Sequence, residues 1–341
     1  MIETVKALCA LSGVSGWEDE VRDYILERAL PYADETDTDA MGNLFVFKKG
    51  AVTPAQPVMV CAHMDEVGVI VTGITDDGFL RFSFVGGVDR RVALGKRVFI
   101  GPDRIPGVIG MKAIHLTDAD ERQTVPKLEN LFIDIGAEDG DDAKSKVTLG
   151  WRGIFDPVIY EFGEGYIKAK ALDDRVGCAA MLKMLEQDLP VDTWFVFTVQ
   201  EEVGCRGASI AASRIRPGFA LVMEGTTAAD MGGVEKGQEI CFLGRGVTIP
   251  FMDGGTIYNH DVWRFVTDVA EQNGIPWQTK ERIAGGTDAS AIQRRENGAK
   301  VVTMSAPLRN IHSPSSVGKL ADIRHMPELG MKVLEALSHG F

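Results

Sequence analysis

Short apolar runs recur along this chain, and each is followed by a residue able to ligate a cation or by a loop that carries one. The run 58–62 ends at His63, 167–171 is followed by Asp173, 194–199 by Glu202 and 219–223 by Glu224. His312 sits in the loop after 301–304. Runs this short, without polar alternation, read as strands covered on both faces. Helical patterns stand between them. Segment 175–187 is largely apolar, and 261–272 places Val262, Phe265, Val266 and Val269 on one face. A last helix, starting near Pro327, turns Leu329, Val333 and Leu337 inward. Such alternation implies an α/β fold, a mixed sheet covered by helices. At the front, Ile2, Val5, Leu8 and Cys9 form one helical stripe. Ser15 with Glu18 three residues on reads as a capping box that opens a second helix through Val21, Tyr24 and Ile25.

The texture changes between about 68 and 165. Runs at 69–71, 82–84, 98–100 and 108–109 alternate with Gly, Asp and Pro turn signals, and only 138–146 looks helical. This reads as a small β-rich domain at 68–162, inserted into an α/β domain made of 1–67 and 163–341. A length of 341 residues suits two domains. The net charge of −13 argues against nucleic acid as a partner. No apolar run approaches the about 18 residues of a membrane span. The opening Met1-Ile2-Glu3-Thr4 lacks the basic, then apolar, start of a signal peptide. The 5 cysteines are odd in number, widely spaced and set in apolar segments. Reduced thiols in a cytoplasm are therefore expected, not a disulfide framework.

In open α/β sheets, sites form beyond the carboxyl ends of the strands. His63, Asp173, Glu202, Glu224 and His312 can therefore meet in one cleft. Two imidazoles with three carboxylates form a mixed N/O set that suits zinc, cobalt or manganese and lacks the thiolates of a structural zinc site. If one carboxylate bridges, each of two divalent ions keeps one His and one carboxylate. Ions about 3.5–4 Å apart can then activate a water and polarise a carbonyl together. Taken singly, each residue has a plainer reading. Asp173-Asp174-Arg175 can be a helix start, and His63-Met64-Asp65-Glu66 a polar loop. Agreement across five strand ends favours the metal reading. Successive side chains on an extended segment point opposite ways, so in Glu201-Glu202 one can ligate while the other stands off as a general base. Gly285-Gly286-Thr287-Asp288 reads equally as a substrate-holding turn or a tight connection. His115, in the β-rich insert, is a candidate for a place near the substrate. No Walker A or dinucleotide pattern occurs, and no Gly-x-Ser-x-Gly elbow.

Five stretches follow one another in a telling order: Ala62-His63-Met64-Asp65-Glu66-Val67-Gly68, Ala171-Leu172-Asp173-Asp174-Arg175-Val176-Gly177, Gln200-Glu201-Glu202-Val203-Gly204, Gly285-Gly286-Thr287-Asp288-Ala289 and Ile311-His312-Ser313-Pro314. Over nearly the whole chain this resembles the dinuclear aminopeptidases called TET, deblocking or glutamyl aminopeptidases (metallopeptidase family forty-two). The resemblance implies that His63 and Glu224 hold one ion, Glu202 and His312 the other, with Asp173 bridging. It makes Glu201 the general base and Asp65 the partner that orients His63. It also implies a cis peptide between Asp173 and Asp174, short peptides as substrates, and an insert that serves dimerisation. Six dimers would then form a hollow tetrahedral dodecamer. The chain departs from the pattern at one place: many relatives carry Asp in an Asp-Val-Thr context where this sequence has Glu224-Gly225-Thr226. Two other readings remain open. The same site can act on an acyl-amino acid or a sugar chain, or the chain can be a non-catalytic assembly protein with a vestigial site.

Overall fold

The computed structural model describes residues 1–340. Its frame is a large mixed sheet. Its neighbouring strands run in the order Glu35–Thr38, Leu44–Lys48, Thr193–Thr198, Val58–His63, Phe219–Thr227, Lys300–Arg309, Ser316–Lys319, Tyr166–Ala169 and Tyr160–Phe162. The four central strands, from Thr193–Thr198 to Lys300–Arg309, are mutually parallel. Their carboxyl ends therefore share one edge. Strand Val58–His63 is buried along its whole length. Successive side chains alternate between faces, so Val58, Val60 and Ala62 join one apolar layer and Met59 and Cys61 the other. This is why its sequence shows no polar alternation.

Helix Leu172–Leu185 packs on Val58–His63 and Phe219–Thr227, and against helices Ile2–Ala10 and Leu320–Ser338. Only Lys183 on it is exposed, and from Val176 on it is otherwise apolar or small on all faces, as a core helix must be. Its dihedrals are non-helical at Asp173 and Asp174, so regular helix begins at Arg175, as the sequence pattern places it. The last helix differs from expectation. It spans Leu320–Ser338 with Pro327 inside it, not at its start. Proline there loses its N–H bond and its ring crowds the carbonyl four residues back, a cost offset by buried Leu320, Ile323 and Met326, which hold the earlier turns in place.

A closed barrel interrupts this frame, with strands in the order Arg152–Phe155, Gly68–Ile74, Leu80–Val85, Leu131–Asp134, Ile105–Met111 and Arg97–Ile100. It has its own core, in which Val69, Val71, Leu80, Ile100, Ile109 and Ile133 meet. Besides helix Gly140–Lys146 it carries short helical turns at Arg90–Ala93 and Ala119–Gln123 that the sequence did not signal. Strand Tyr160–Phe162, just inside the expected insert boundary, pairs with Tyr166–Ala169 at the edge of the large sheet.

Candidate active site

Register delivers the site. Thr198, the last residue of its strand, lies opposite His63, and Val222 lies opposite Cys61, so the register brings Glu224 level with His63. Glu224 lies within its strand, not just past it, because pairing continues from Glu224 opposite Ser305 to Thr227 opposite Leu308. Gly225 makes room there: a Cβ on it would stand 2.9 Å from Asp173 Oδ1 and 2.8 Å from Leu308 Cδ1. His312 has a left-handed backbone, φ 56°, as do Ala171 before Asp173 and Gln200 before Glu201. Non-glycine residues pay for that conformation, and it concentrates at sites where a side chain must be aimed. The peptide between Asp173 and Asp174 is cis.

The expected ligands converge. His63 Nε2 lies 3.4 Å from Asp173 Oδ1 and 3.3 Å from Glu224 Oε1. His312 Nε2 lies 3.4 Å from Asp173 Oδ2 and 3.2 Å from Glu202 Oε2. Asp173 thus offers one oxygen to each imidazole. Each imidazole uses its other nitrogen elsewhere, His63 Nδ1 on the Asp65 carbonyl at 3.1 Å and His312 Nδ1 on the Gly87 carbonyl at 3.0 Å. An Nδ1–H donated in this way leaves the Nε2 lone pair free, the arrangement metal-ligating histidines adopt. Asp173 Oδ1 is buried without a hydrogen-bond partner despite its nearness to His63. Ligand bonds of about 2.0–2.1 Å in tetrahedral geometry separate neighbouring donor atoms by about 3.3 Å. The observed spacings match that separation, so these residues fit divalent cations.

Electrostatics agree. Burial pushes the carboxyls of Glu202 and Glu224 above the usual range, reinforced by the Asp173 and Asp174 charges respectively, with the imidazoles opposing. Burial also opposes the charged form of Asp173, but the two imidazoles outweigh it and hold its carboxyl low. Burial works against a charged His312, yet Asp173 and Glu202 raise it to about 9. So much negative charge in a water-poor cleft calls for cations.

Asp65 ties the site together. Its Oδ2 accepts from Ser15 Oγ at 2.6 Å and from the Glu202 backbone N–H at 3.1 Å, and its Oδ1 from the Glu201 N–H at 2.9 Å. Its Oδ1 also lies 3.4 Å from His63 Nδ1. Ser15 is therefore not a helix cap, as the sequence pattern suggested. Its hydroxyl is drawn to this buried carboxylate, and Glu18 instead accepts from the backbone of Gly16 and Gln200. Glu201 Oε1 accepts from the Cys205 thiol at 3.4 Å. Burial pushes its carboxyl up to about 8, with His63 opposing and Asp288 reinforcing.

Asp173, Glu201, Glu224 and His312 open onto a cavity of about 120 Å³, also lined by Gly285, Gly286, Thr287 and Lys280. Asp288 sits behind it, accepting from the Thr198 hydroxyl at 2.6 Å. His115 is not brought to the cluster. It lies on the exposed turn Ile114–Leu116 of the barrel. Sequence reasoning missed Ser15, Lys280, Cys205 and the Gly87 carbonyl, none of which belongs to a recognisable ligand or acid–base pattern.

A mixed sheet that brings two imidazoles and three carboxylates together near its strand ends, with a further glutamate beside them, is the build of a metallohydrolase. The M42 glutamyl aminopeptidase family matches residues 42–329, and the chain belongs to that family. It is 32% identical to the lysyl aminopeptidase of Pyrococcus furiosus, over 98% of this chain and 97% of that one. A solved aminopeptidase from the archaeon Desulfurococcus kamchatkensis superimposes with a TM-score of 0.93 at 38% identity, covering 98% of this chain and 94% of that chain. The Pyrococcus horikoshii TET1 peptidase, which can assemble into a tetrahedron or a large octahedral shell, gives 0.86 at 33% identity, covering 100% and 99%. The protein is a metal-dependent aminopeptidase.

Proposed function

We propose that this aminopeptidase removes N-terminal residues from short peptides through two divalent ions, one between His63 and Glu224 and one between His312 and Glu202, with Asp173 shared. The observation that carries this reading is the split of Asp173: one oxygen faces each imidazole, and each imidazole is anchored through its far nitrogen. Divalent ions held there would supply Lewis acidity, activating a water and polarising the scissile carbonyl. The N/O donor set suits zinc or cobalt first, with manganese as the alternative.

Glu201 is the general base. It takes a proton from the attacking water as the new C–O bond forms, then gives it to the leaving amine as the C–N bond breaks. Asp65 holds Glu201 in place through its backbone N–H and His63 through its ring. The cavity beside Glu201 receives the N-terminal side chain, with Gly285, Gly286 and Thr287 as its wall. Lys280 sets the preference for that side chain. It is 4% exposed, its ammonium donates to the Ala284 carbonyl at 2.9 Å, and among the described residues no carboxylate forms an ion pair with it. A buried, unpaired ammonium on a substrate wall favours an anionic group, so N-terminal Glu or Asp is preferred, in keeping with the family's description.

The reading extends to assembly. The barrel exposes Val92, Leu94, Val108, Ile114, Leu116 and Val125, apolar surface that suits a dimer contact. Dimers would build a homo-oligomer of the tetrahedral kind named for the TET1 relative. Five unpaired cysteines favour a reducing cytoplasm. No helix among the described residues is long and apolar enough to cross a membrane.

The test is Glu201→Gln. It abolishes turnover of aminoacyl-nitroanilides while elemental analysis finds the wild-type metal content. Retained turnover refutes the base, and hydrolysis of carboxymethylcellulose in place of peptides refutes the substrate class.

A further inference from the structure

Beside the His63 and His312 centre lies a second group of donors, in which the proposed base meets two side chains that the reaction does not use. The ligand atoms of Glu201, Cys205 and Asp288 all lie within 4.8 Å of one another. Asp288 is 1% exposed, and its Oδ2 is taken by the Thr198 hydroxyl, but its Oδ1 is buried with no partner. Among the described residues no lysine or arginine forms an ion pair with Glu201 or Asp288. A buried carboxylate oxygen left unpaired costs free energy that a cation recovers. Cys205 Sγ stands 3.4 Å from Glu201 Oε1, with the Thr287 carbonyl at 3.5 Å and Ser290 Oγ at 4.0 Å as neutral neighbours. For metal bonds of about 2.3 Å to sulfur and about 2.0 Å to oxygen, a tetrahedral site separates S and O by about 3.5 Å. The thiol also selects among cations, since sulfur beside carboxylates suits zinc or cadmium and not magnesium or calcium.

We propose that Glu201, Cys205 and Asp288 form a third cation site, specific for thiophilic divalent ions such as zinc in excess or cadmium, whose occupation inhibits the enzyme. Binding forms S–metal and O–metal bonds and releases the thiol proton to solvent, with no change of oxidation state. An ion there engages the carboxylate that must accept a proton from water, so turnover stops although the His63 and His312 centre is untouched. The ion site itself stands on the geometry of these three side chains. Only its inhibitory effect rests on Glu201 being the base.

Cadmium titrated into the metal-loaded protein tests this directly. Any cadmium that exchanges into the His63 and His312 centre meets only nitrogen and oxygen, so thiolate-to-cadmium absorption in the ultraviolet reports the third site alone. Cys9, Cys61, Cys178 and Cys241 are fully buried in the core and give no such signal. Wild-type protein develops the absorption, retains one more ion per chain than it started with, and loses turnover over the same cadmium range. Cys205→Ala shows no absorption and no extra ion, and needs about tenfold more cadmium for half-inhibition relative to its own starting rate. Asp288→Asn keeps the absorption but shifts it to about tenfold higher cadmium. No absorption in the wild type, or identical titrations for wild type and Cys205→Ala, overturns the proposal. Absorption without loss of turnover upholds the site and refutes Glu201 as the base.

Discussion

Asp65→Asn probes the site without altering a ligand. The substitution keeps the shape and replaces one acceptor oxygen by an NH₂ donor. With that NH₂ at the Oδ1 position, it meets the Glu201 N–H, now 2.9 Å from the oxygen there. Turned to the Oδ2 position, it can donate to the Ser15 hydroxyl, which rotates to accept, but it then confronts the Glu202 N–H at 3.1 Å. Either orientation leaves one buried backbone N–H without an acceptor and removes a charge-assisted bond worth about 1.5–3 kcal/mol. The expected loss of stability is therefore about 2–3 kcal/mol. The segment so loosened carries the proposed base and a proposed metal ligand, and His63 loses a charged neighbour at its Nδ1. Metal affinity and kcat/KM should fall about 10–100-fold. Urea unfolding of the metal-loaded protein, metal titration by elemental analysis and nitroanilide kinetics measure all three. Ser15→Ala is the control. It removes one hydroxyl donor, should cost about 1 kcal/mol, and leaves kcat/KM within about threefold. If Asp65→Asn unfolds within about 0.5 kcal/mol of wild type with kcat/KM within about twofold, the linking role of Asp65 is wrong.

Two further outcomes follow from buried charge. Glu66 accepts from Lys170 Nζ at 2.7 and 2.8 Å and from Arg175 Nη2 at 3.3 Å, with all three side chains at most 3% exposed. Glu66→Gln strands two buried cations and should cost about 3–5 kcal/mol in denaturant unfolding; a loss below about 1 kcal/mol contradicts that account. Lys280→Met should lower kcat/KM for glutamyl-nitroanilide relative to leucyl-nitroanilide by about tenfold or more. An unchanged ratio removes Lys280 from the specificity wall but leaves the catalytic assignment standing.

What the sequence revealed and what it hid divide along physical lines. Strands such as Val58–His63 announce themselves because burial on both faces demands unbroken apolar residues, and the chain must turn polar where the strand leaves the core. His63, at the end of such a strand, and the loop residue Glu202 beyond Thr193–Thr198 were thus legible as a set. Strand Glu35–Thr38 was not, since it lies mostly exposed at the sheet edge and its four residues are polar or charged. Pro327 misled for a related reason. A proline marks helix starts by local backbone preference, whereas Leu320–Ser338 is held by burial along its inner face, and tertiary packing overrode the local signal.

The residues that steer the site were hidden for another reason: their partners are remote in sequence. Ser15 reaches Asp65 across 50 positions, and the Gly87 carbonyl, on a segment of the inserted barrel region, holds His312 across 225. The second of these contacts matters for how the two parts of the chain work together. His312 Nδ1 is fixed by backbone from the insert while its Nε2 faces Asp173 and Glu202. The barrel region therefore bears directly on the aim of one proposed ligand, and a contact that shifts the Gly87 segment would reach the proposed metal centre through this hydrogen bond.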